Sequence, residues 1–302
     1  MKFIDRRKMN LGESSFWRGV NAGDVVKLAG HIYADPKAYG SLAPWDRARA
    51  EAVAAGMSSS KAVVCGLSAA SLWGLPVLSY RGPTELILPG NRKPSARSKW
   101  PKSVVYRSNY LPEQAITWHF GVRVTTLART VIDSARWHSF AQALAIADGF
   151  MNREAQARRV LQDELGTIGH TKGVSRVRRV VNEARSKIGS AAESWARAQL
   201  LESDIQYASL LTQQDFMTKG ERFVVDMVLD GWLVIEVDGA IKYSGSYGPE
   251  ELVLAEQVRR ERELVRLGLS VFRVDWGMLR EGRFIPELRD YLARASRRPL
   301  YP

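Results

Sequence analysis

The chain has 302 residues, of which 45% are hydrophobic and 25% are charged, and its formal net charge is +12. This length accommodates two domains with their own cores. No apolar run approaches the roughly 18 residues of a membrane span, and the opening residues lack the apolar segment of a secretory signal, so we expect a cytoplasmic protein. The single cysteine, Cys65, excludes an internal disulfide and a thiolate zinc site, and the four histidines lack metal-ligand spacing.

Charge is divided unevenly along the chain. Residues 1–190 carry 29 Lys and Arg against 14 Asp and Glu, whereas residues 191–302 carry 15 against 18. A basic front portion attracts a polyanion at short range, and nucleic acid is the most common one. The distribution therefore predicts DNA as a partner and a rear portion whose acids cluster for chemistry.

Two cationic stretches are candidates for the contact with DNA. The first carries six cations and no acid, and its Trp100 and Tyr106 could pack on a sugar or a base. The second runs from Lys172 to Lys187 and has a helical pattern. A solvated loop or helix face explains either stretch equally well when it is taken alone. The predicted contact residues are Arg92, Lys93, Arg97, Lys99, Lys102 and Arg107 in the first stretch and Arg176, Arg178 and Arg179 in the second.

The front portion reads as three small units in an α+β arrangement. A helix from Glu13 to Asn21, followed by two brief strands that meet at Gly30, is typical of the back half of a winged helix. The further predicted elements are helices at 44–55 and 68–74, strands at 85–88, 104–107 and 122–125, helical periodicity from 127 to about 150, and helices at 153–165 and 173–184. We therefore expect a winged-helix-like unit at 1–60, a small α/β module at 61–126 and a helical connector at 127–189.

The rear portion, residues 190–302, has the pattern of one α/β domain. Its order is helix, hairpin, helix, strand, helix, which predicts a mixed sheet flanked by helices. Asp230-Gly231 is well suited to the tight turn of the hairpin. The predicted elements are a helix at 191–202, strands at 222–229 and 232–238, a helix opened by Pro249 and closed by Gly268, a strand at 269–276 and a helix at 284–297.

Three acids lie in the predicted hairpin where its pattern calls for apolar residues: Asp226, Glu236 and Asp238. Charged side chains are seldom buried without a partner, and a divalent cation collects two or three carboxylates at once. The hairpin is therefore a candidate site for Mg²⁺ or Mn²⁺. The alternative is a surface hairpin whose acids face water.

The register of the hairpin decides whether these acids can meet. A two-residue turn at Asp230-Gly231 would place Asp226 opposite Ile235 and on the wrong face for Glu236. We therefore predict an odd number of turn residues or a bulge. Carboxylates on opposite faces of a regular hairpin would exclude the metal site.

These residues resemble the PD-(D/E)XK nuclease fold, in its branch of very-short-patch-repair-like endonucleases of actinobacterial type. The resemblance rests on Glu193, Asp226, Glu236-Val-Asp238-Gly239 and Lys242, with an acid-rich and Arg-rich helix that contains Arg260. The front half resembles the AbiEi antitoxin family through Leu67-Ser-Ala-Ala-Ser-Leu-Trp-Gly-Leu-Pro76 and Val122-Arg-Val-Thr-Thr-Leu-Ala-Arg-Thr-Val-Ile-Asp133.

The resemblance implies that Asp226 and Glu236 hold one or two Mg²⁺ ions, with Glu193 contributing through a water. It implies that Lys242 orients the nucleophile or offsets charge on the transition state. The sequence departs from the family pattern because Asp238 stands where the usual lysine follows the glutamate, and Asp238 becomes a further metal ligand or a cap for the Gly239 turn.

The role of Arg260 has two readings. It is expected to contact phosphate or to form an ion pair with Glu256 on the same helix.

Two functions follow from the sequence. The first is a Mg²⁺-dependent DNA endonuclease in phage defence or mobile-element biology, with the basic front portion as its DNA-binding platform. The second is a non-catalytic DNA-binding regulator or antitoxin whose rear domain has kept the fold without the activity. The sequence leaves open a homodimer or a cognate toxin or defence partner, and predicts no membrane partner.

Overall fold

The computed structural model describes residues 1–9, 13–169, 171–218, 221–238 and 250–295, and leaves the side chains of 13–14 and 250–257 undescribed. The fold is mixed α/β, as predicted. The chain separates into two compact units, Met1–Ala184 and Arg185–Pro302. This division and the predicted boundary at residue 190 both fall between the helix that ends at Glu183 and the helix that begins at Ala191.

The first unit begins with a three-stranded antiparallel sheet. Its strands are β1 (Phe3–Asp5), β2 (Val26–Ala29) and β3 (Ile32–Ala34), in the order β1-β3-β2. The predicted pair of strands around Gly30 is confirmed, whereas β1 was not predicted because three residues are too few to show a periodic pattern. The helices of this region are α1 (Glu13–Ala22), α2 (Pro36–Gly40) and α3 (Pro44–Ser58).

A five-stranded mixed sheet forms the centre of the first unit. Its order is β6-β5-β4-β8-β7, and helix α4 (Gly66–Leu72) follows its middle strand. The strands are β4 (Val63–Val64), β5 (Thr84–Ile87), β6 (Val104–Arg107), β7 (Ile116–His119) and β8 (Val122–Thr125). Three of them were predicted. The two-residue middle strand β4 and the edge strand β7 were missed, although the turn from β7 to β8 contains Phe120 and Gly121 with left-handed φ values of 49° and 72°.

The segments 67–76 and 122–133 contact each other inside this unit. The indole Nε1 of Trp73, in the first segment, donates to the Thr125 carbonyl in the second at 2.9 Å. Helix-borne Gly149 lies so close to Pro76 that a Cβ built on it would stand 2.2 Å from the proline Cδ. These residues therefore hold the sheet against the helices that follow it.

Four helices complete the first unit: α5 (Leu127–Trp137), α6 (Phe140–Met151), α7 (Ala157–Thr167) and α8 (Val174–Glu183). The helical stretch predicted from 127 to about 150 is two helices, because His138 ends α5 and Ser139 begins the next by accepting the Gln142 N–H at 3.3 Å. The helix predicted at 173–184 is confirmed as α8, and the helix predicted at 153–165 begins later, at Ala157.

The second unit is a four-stranded mixed sheet in the order β12-β11-β10-β9. Strands β9 to β11 form an antiparallel meander, and β12 joins β11 in parallel after a helical crossover. The elements are α9 (Ala191–Glu202), β9 (Leu210–Thr218), β10 (Glu221–Leu229), β11 (Leu233–Asp238), α10 (Glu250–Arg266), β12 (Ser270–Asp275), α11 (Trp276–Glu281) and α12 (Phe284–Ala295).

Helices cover both faces of this sheet, as the sequence predicts. Residues from α9, α11 and α12 form one apolar cluster with β10 and β11, and Leu264 of α10 packs with Val228 and Val234 on the other face. Edge strand β9 was not predicted because its apolar residues do not alternate regularly with polar ones. Trp276 begins a helix and does not extend the preceding strand.

Candidate functional site

The turn between β10 and β11 has three residues, Asp230, Gly231 and Trp232. The last pair of the ladder is Leu229 with Leu233, and the Trp232 N–H donates to the Leu229 carbonyl at 3.2 Å. Continued one step beyond its last pair, Met227 with Ile235, this register would set Asp226 opposite Glu236, where the two strands no longer pair. The predicted odd number of turn residues is confirmed.

Asp230 adopts a left-handed φ of 50°, and Gly231 follows with 73°. Aspartate tolerates this region better than most residues, and here its side chain stabilises the turn. Its Oδ1 accepts the N–H groups of Ala208 and Ser209 at 2.6 and 2.9 Å. The turn is thereby fastened to the segment that leads into β9.

Strands β10 and β11 separate at the acids. Their ladder extends no further than Met227 with Ile235, while β11 stays paired with β12 as far as Asp238. Beyond the last pair, the Asp226 carboxylate accepts the Val237 N–H at 2.8 Å. A side chain thus replaces a backbone acceptor at the point of separation, which leaves a notch between the strands beside Asp226 and Glu236.

The side-chain alternation of β10 also breaks at Asp226. Residues two apart on a strand normally share a face. Val225, however, packs with Leu264 on the α10 side, whereas Met227 packs with Ala192 and Ala196 on the α9 side. Asp226 therefore stands where the strand changes face. The register places Gln213 of β9 opposite it, with a left-handed φ of 52°.

Glu193 lies on the α9 side of this irregularity. Its carboxylate is buried and accepts hydrogen bonds from the Gly189 N–H at 2.9 Å and from the Gln213 amide at 2.8 Å. Burial raises the pKa of Glu193 to about 7, and the nearby negative charge of Asp226 adds to the rise, while the hydrogen bonds oppose it. The Glu193 side chain therefore points toward the interior of the unit.

Glu236 pairs with an arginine from the opposite face. Nη2 of Arg260, on α10, donates to Glu236 Oε1 at 2.9 Å and also to the Val224 carbonyl of β10. The guanidinium therefore bridges the two strands where they separate. This pairing was not predicted: the sequence assigned Arg260 to phosphate or to Glu256, whose side chain lies outside the described residues.

Asp238 also faces an arginine. Its Oδ2 lies 4.0 Å from Nη1 of Arg273, whose Nη2 is 3.1 Å from Oε2 of Glu261. Together with Glu236 and Arg260, these residues line a small cavity between β11, β12 and α10. Lys242 and Gly239, which the sequence adds to the site, lie outside the described residues.

The donor set suits a hard divalent cation, because it consists of carboxylate oxygens from Asp226, Glu236 and Asp238. Within the described ranges, however, no three His, Cys, Asp or Glu side chains are already arranged to hold a metal ion. Ion pairing explains part of this, since Arg260 contacts Glu236 and Arg273 lies near Asp238. A cation at Glu236 therefore competes with the Arg260 guanidinium for the charge of that carboxylate.

The first basic stretch forms an exposed loop before β6. Its two aromatic residues pack on each other with ring centroids 5.3 Å apart, and the Trp100 indole donates to the Ser95 carbonyl at 2.8 Å. These aromatic residues therefore shape the loop. Five of the predicted contact residues are exposed and make no ion pair with another described residue: Arg92, Lys93, Arg97, Lys99 and Lys102.

Arg107 has a structural role that the sequence did not indicate. It forms an ion pair with the buried carboxylate of Glu85 and lies 5.3 Å over the ring of Trp137. His138 and the Leu67 N–H bind the same carboxylate, at 3.0 and 2.6 Å. The guanidinium of Arg107 is thus already committed, which weakens the prediction that it contacts DNA.

The three arginines of helix α8 differ in what they contact. Arg176 donates to the His138 carbonyl at 2.7 Å, and Arg179 lies 4.1 Å over the ring of Phe140. Arg178 is exposed between the buried Val177 and Val180. All three arginines are exposed, so the helix presents three cations, two of which also make contacts within the unit.

Gln213, Glu261 and Arg273 belong to the site but were not predicted. Gln213 carries no local signal, because it lies in a polar edge strand and is recognisable only through its backbone angle and its bond to Glu193. The parallel register sets Arg273 beside Glu236, a pairing between distant segments that sequence spacing cannot show.

In the part of the chain that the structure describes, each helix is too short or too polar to cross a membrane. A scan against protein-family models and searches of curated proteins and of solved structures gave no match to the chain.

Proposed function

We propose that this protein is a Mg²⁺-dependent DNA endonuclease whose site lies at the separation of β10 and β11. One observation carries the proposal: the three-residue turn gives the hairpin a register that brings Asp226 and Glu236 to the place where the two strands part. Two costly carboxylates in strand positions that fit an apolar core have a physical reason if they bind a cation there.

We assign a separate role in the reaction to each group of residues, according to its surroundings. Asp226 and Glu236 would hold the cation, with Asp238 as a third carboxylate on the same strand as Glu236. Bound Mg²⁺ polarises the scissile phosphate and lowers the pKa of the attacking water. Glu193, with a pKa of about 7, can accept or release a proton near neutral pH and lies close to Asp226. The exposed loop cations would bind the DNA backbone.

A second function is favoured by the ion pair of Arg260 with Glu236. This pair neutralises a candidate metal ligand, and Arg273 does the same beside Asp238. A nuclease fold that serves only as a binding module would keep such pairs in place of metal ions. The second candidate is therefore a non-catalytic DNA-binding regulator or antitoxin that uses the same exposed loop.

One pair of measurements separates these functions. DNA binding is measured by fluorescence anisotropy, and cleavage of supercoiled plasmid is measured with Mg²⁺, with Mn²⁺ and with EDTA. The endonuclease proposal expects cation-dependent nicking or linearisation that the Asp226→Ala variant lacks. Tight DNA binding without cleavage in either cation supports the regulator.

A further inference from the structure

Arg260 is the residue whose position the proposed function does not yet explain. One guanidinium nitrogen contacts both sides of the notch, the Glu236 carboxylate on β11 and the Val224 carbonyl on β10. The Arg260 side chain is about one-third exposed, at 35%, so a ligand can reach it from solvent. Its Nε is buried and has no acceptor among the described residues.

The two members of this ion pair attract different ligands. Glu236 offers carboxylate oxygens to a divalent cation, and Arg260 offers the planar fork that binds phosphate oxygens in a bidentate manner. Arg260 Nη2 already takes up the charge of Glu236 Oε1, so a cation at Glu236 competes with the guanidinium for that carboxylate. In the same way, a phosphodiester at Arg260 competes with Glu236 for the guanidinium.

We propose that the ion pair of Arg260 with Glu236 couples cation binding to phosphodiester binding at this site. The first ligand to bind breaks the ion pair. The second ligand then binds without having to supply the free energy that breaking the pair requires. Such coupling is reciprocal by thermodynamic necessity. The pair then keeps the site from holding a cation tightly until DNA arrives. The inference rests on the proposed function, because it takes Glu236 as a cation ligand.

Removal of Arg260 tests the coupling directly. Calcium binding to the full-length protein is measured by isothermal titration calorimetry without DNA, so the readout does not depend on cleavage. Arg260→Gln should bind Ca²⁺ at least about fivefold more tightly than the wild type, the lower end of typical coupling. The double variant Arg260→Gln/Glu236→Gln should lose that gain.

Arg259→Gln is the matched control. Arg259 lies next to Arg260 on the same helix and pairs with the exposed Glu221, outside the notch. The Arg259→Gln variant loses the same charge as Arg260→Gln, and its Ca²⁺ affinity should equal that of the wild type. An equal gain in both variants would show a general charge effect and would overturn the proposal.

A second measurement uses only the wild-type protein, in case Arg260→Gln does not fold. Anisotropy with a short DNA duplex should show at least about fivefold tighter binding in Ca²⁺ than in EDTA. No tightening overturns the coupling. Equal Ca²⁺ affinity of wild type and Arg260→Gln overturns the coupling and leaves the nuclease proposal standing. If neither protein binds Ca²⁺ or Mn²⁺, the proposed metal chemistry fails as well.

Discussion

Gln213 and Asp226 stand opposite each other on β9 and β10, and each departs from the regular pattern of its strand. The backbone of Gln213 has a left-handed φ, and its side-chain amide donates a hydrogen bond to Glu193. The Asp226 carboxylate accepts a hydrogen bond from the Val237 N–H of β11. A non-glycine residue in this region is held there by its surroundings. The irregularity therefore links helix α9 to the acids of the hairpin.

The backbone of Gln213 gives a first prediction. Glycine adopts a left-handed φ without the steric cost that alanine meets, about 1 kcal/mol or more. We expect Gln213→Gly to be more stable than Gln213→Ala by about 1 kcal/mol in urea unfolding. The neighbouring Gln214 has no left-handed φ, so the order of the same two variants should reverse there. The same order at both positions would contradict the account.

Glu193 gives a prediction on pH. Its pKa is raised from 4.5 to about 7, so the folded protein binds this proton more tightly than the unfolded chain does. The stabilisation from the proton is complete below pH 4.5 and is lost as pH rises to about 7. Because one pKa unit corresponds to about 1.4 kcal/mol, the loss is at most about 3.5 kcal/mol.

Glu193→Gln tests this dependence. Urea unfolding at pH 5 and pH 8 should show that the wild type loses more stability than the variant between the two values. The other buried carboxyl groups contribute equally to the pH dependence of both proteins, so their contribution cancels in the comparison. Asp133 is one of them, because burial raises its pKa to about 6. An identical loss in both proteins would mean that Glu193 is ionised throughout this range.

The Asp230 turn gives a third prediction, because the register of the whole site depends on it. Asp230→Ala loses the acceptor of two backbone N–H groups and the tolerance for a left-handed φ. We expect a loss of about 2–3 kcal/mol in the free energy of unfolding. Asp230→Asn keeps a hydrogen-bond acceptor and the tolerance for a left-handed φ, and should retain most of the stability. Equal losses would show that neither property matters.

Much of the second unit is predictable from the sequence, for reasons that particular residues make plain. The apolar runs around Asp230-Gly231 predict β10 and β11, and the acids in those runs direct attention to the site. The odd number of turn residues follows from the requirement that Asp226 and Glu236 lie close together on the hairpin. These inferences are local, or depend on a short hairpin whose register a few residues decide.

What could not be predicted depends on contacts between distant segments. Strand β9 has no clear alternation, so neither the edge strand nor the bond of Gln213 to Glu193 is visible beforehand. The pairing of Arg260 with Glu236 joins residues 24 positions apart in the chain. Arg107 has the sequence context of a DNA contact, yet its partner Glu85 lies on a neighbouring strand.

The exposed loop gives a fourth prediction, on DNA affinity. Arg97→Gln/Lys99→Gln should weaken binding to any DNA sequence and lower the slope of log K against log salt by about 0.9 for each phosphate that the variant no longer neutralises. The control Lys61→Gln/Arg159→Gln removes two exposed charges elsewhere in the first unit. Its slope should match that of the wild type. Equal effects of the two double variants would point to net charge alone.

Cleavage of supercoiled plasmid in Mg²⁺ by wild type, Asp226→Asn and Asp215→Asn tests the central claim most directly. Asp215 is an exposed acid of the same sheet that pairs with Arg222, so its variant controls for the loss of one carboxylate. We predict Mg²⁺-dependent cleavage that falls at least about a hundredfold in Asp226→Asn and persists in Asp215→Asn. Cleavage that survives in Asp226→Asn, or that is absent from all three folded proteins, would contradict the account.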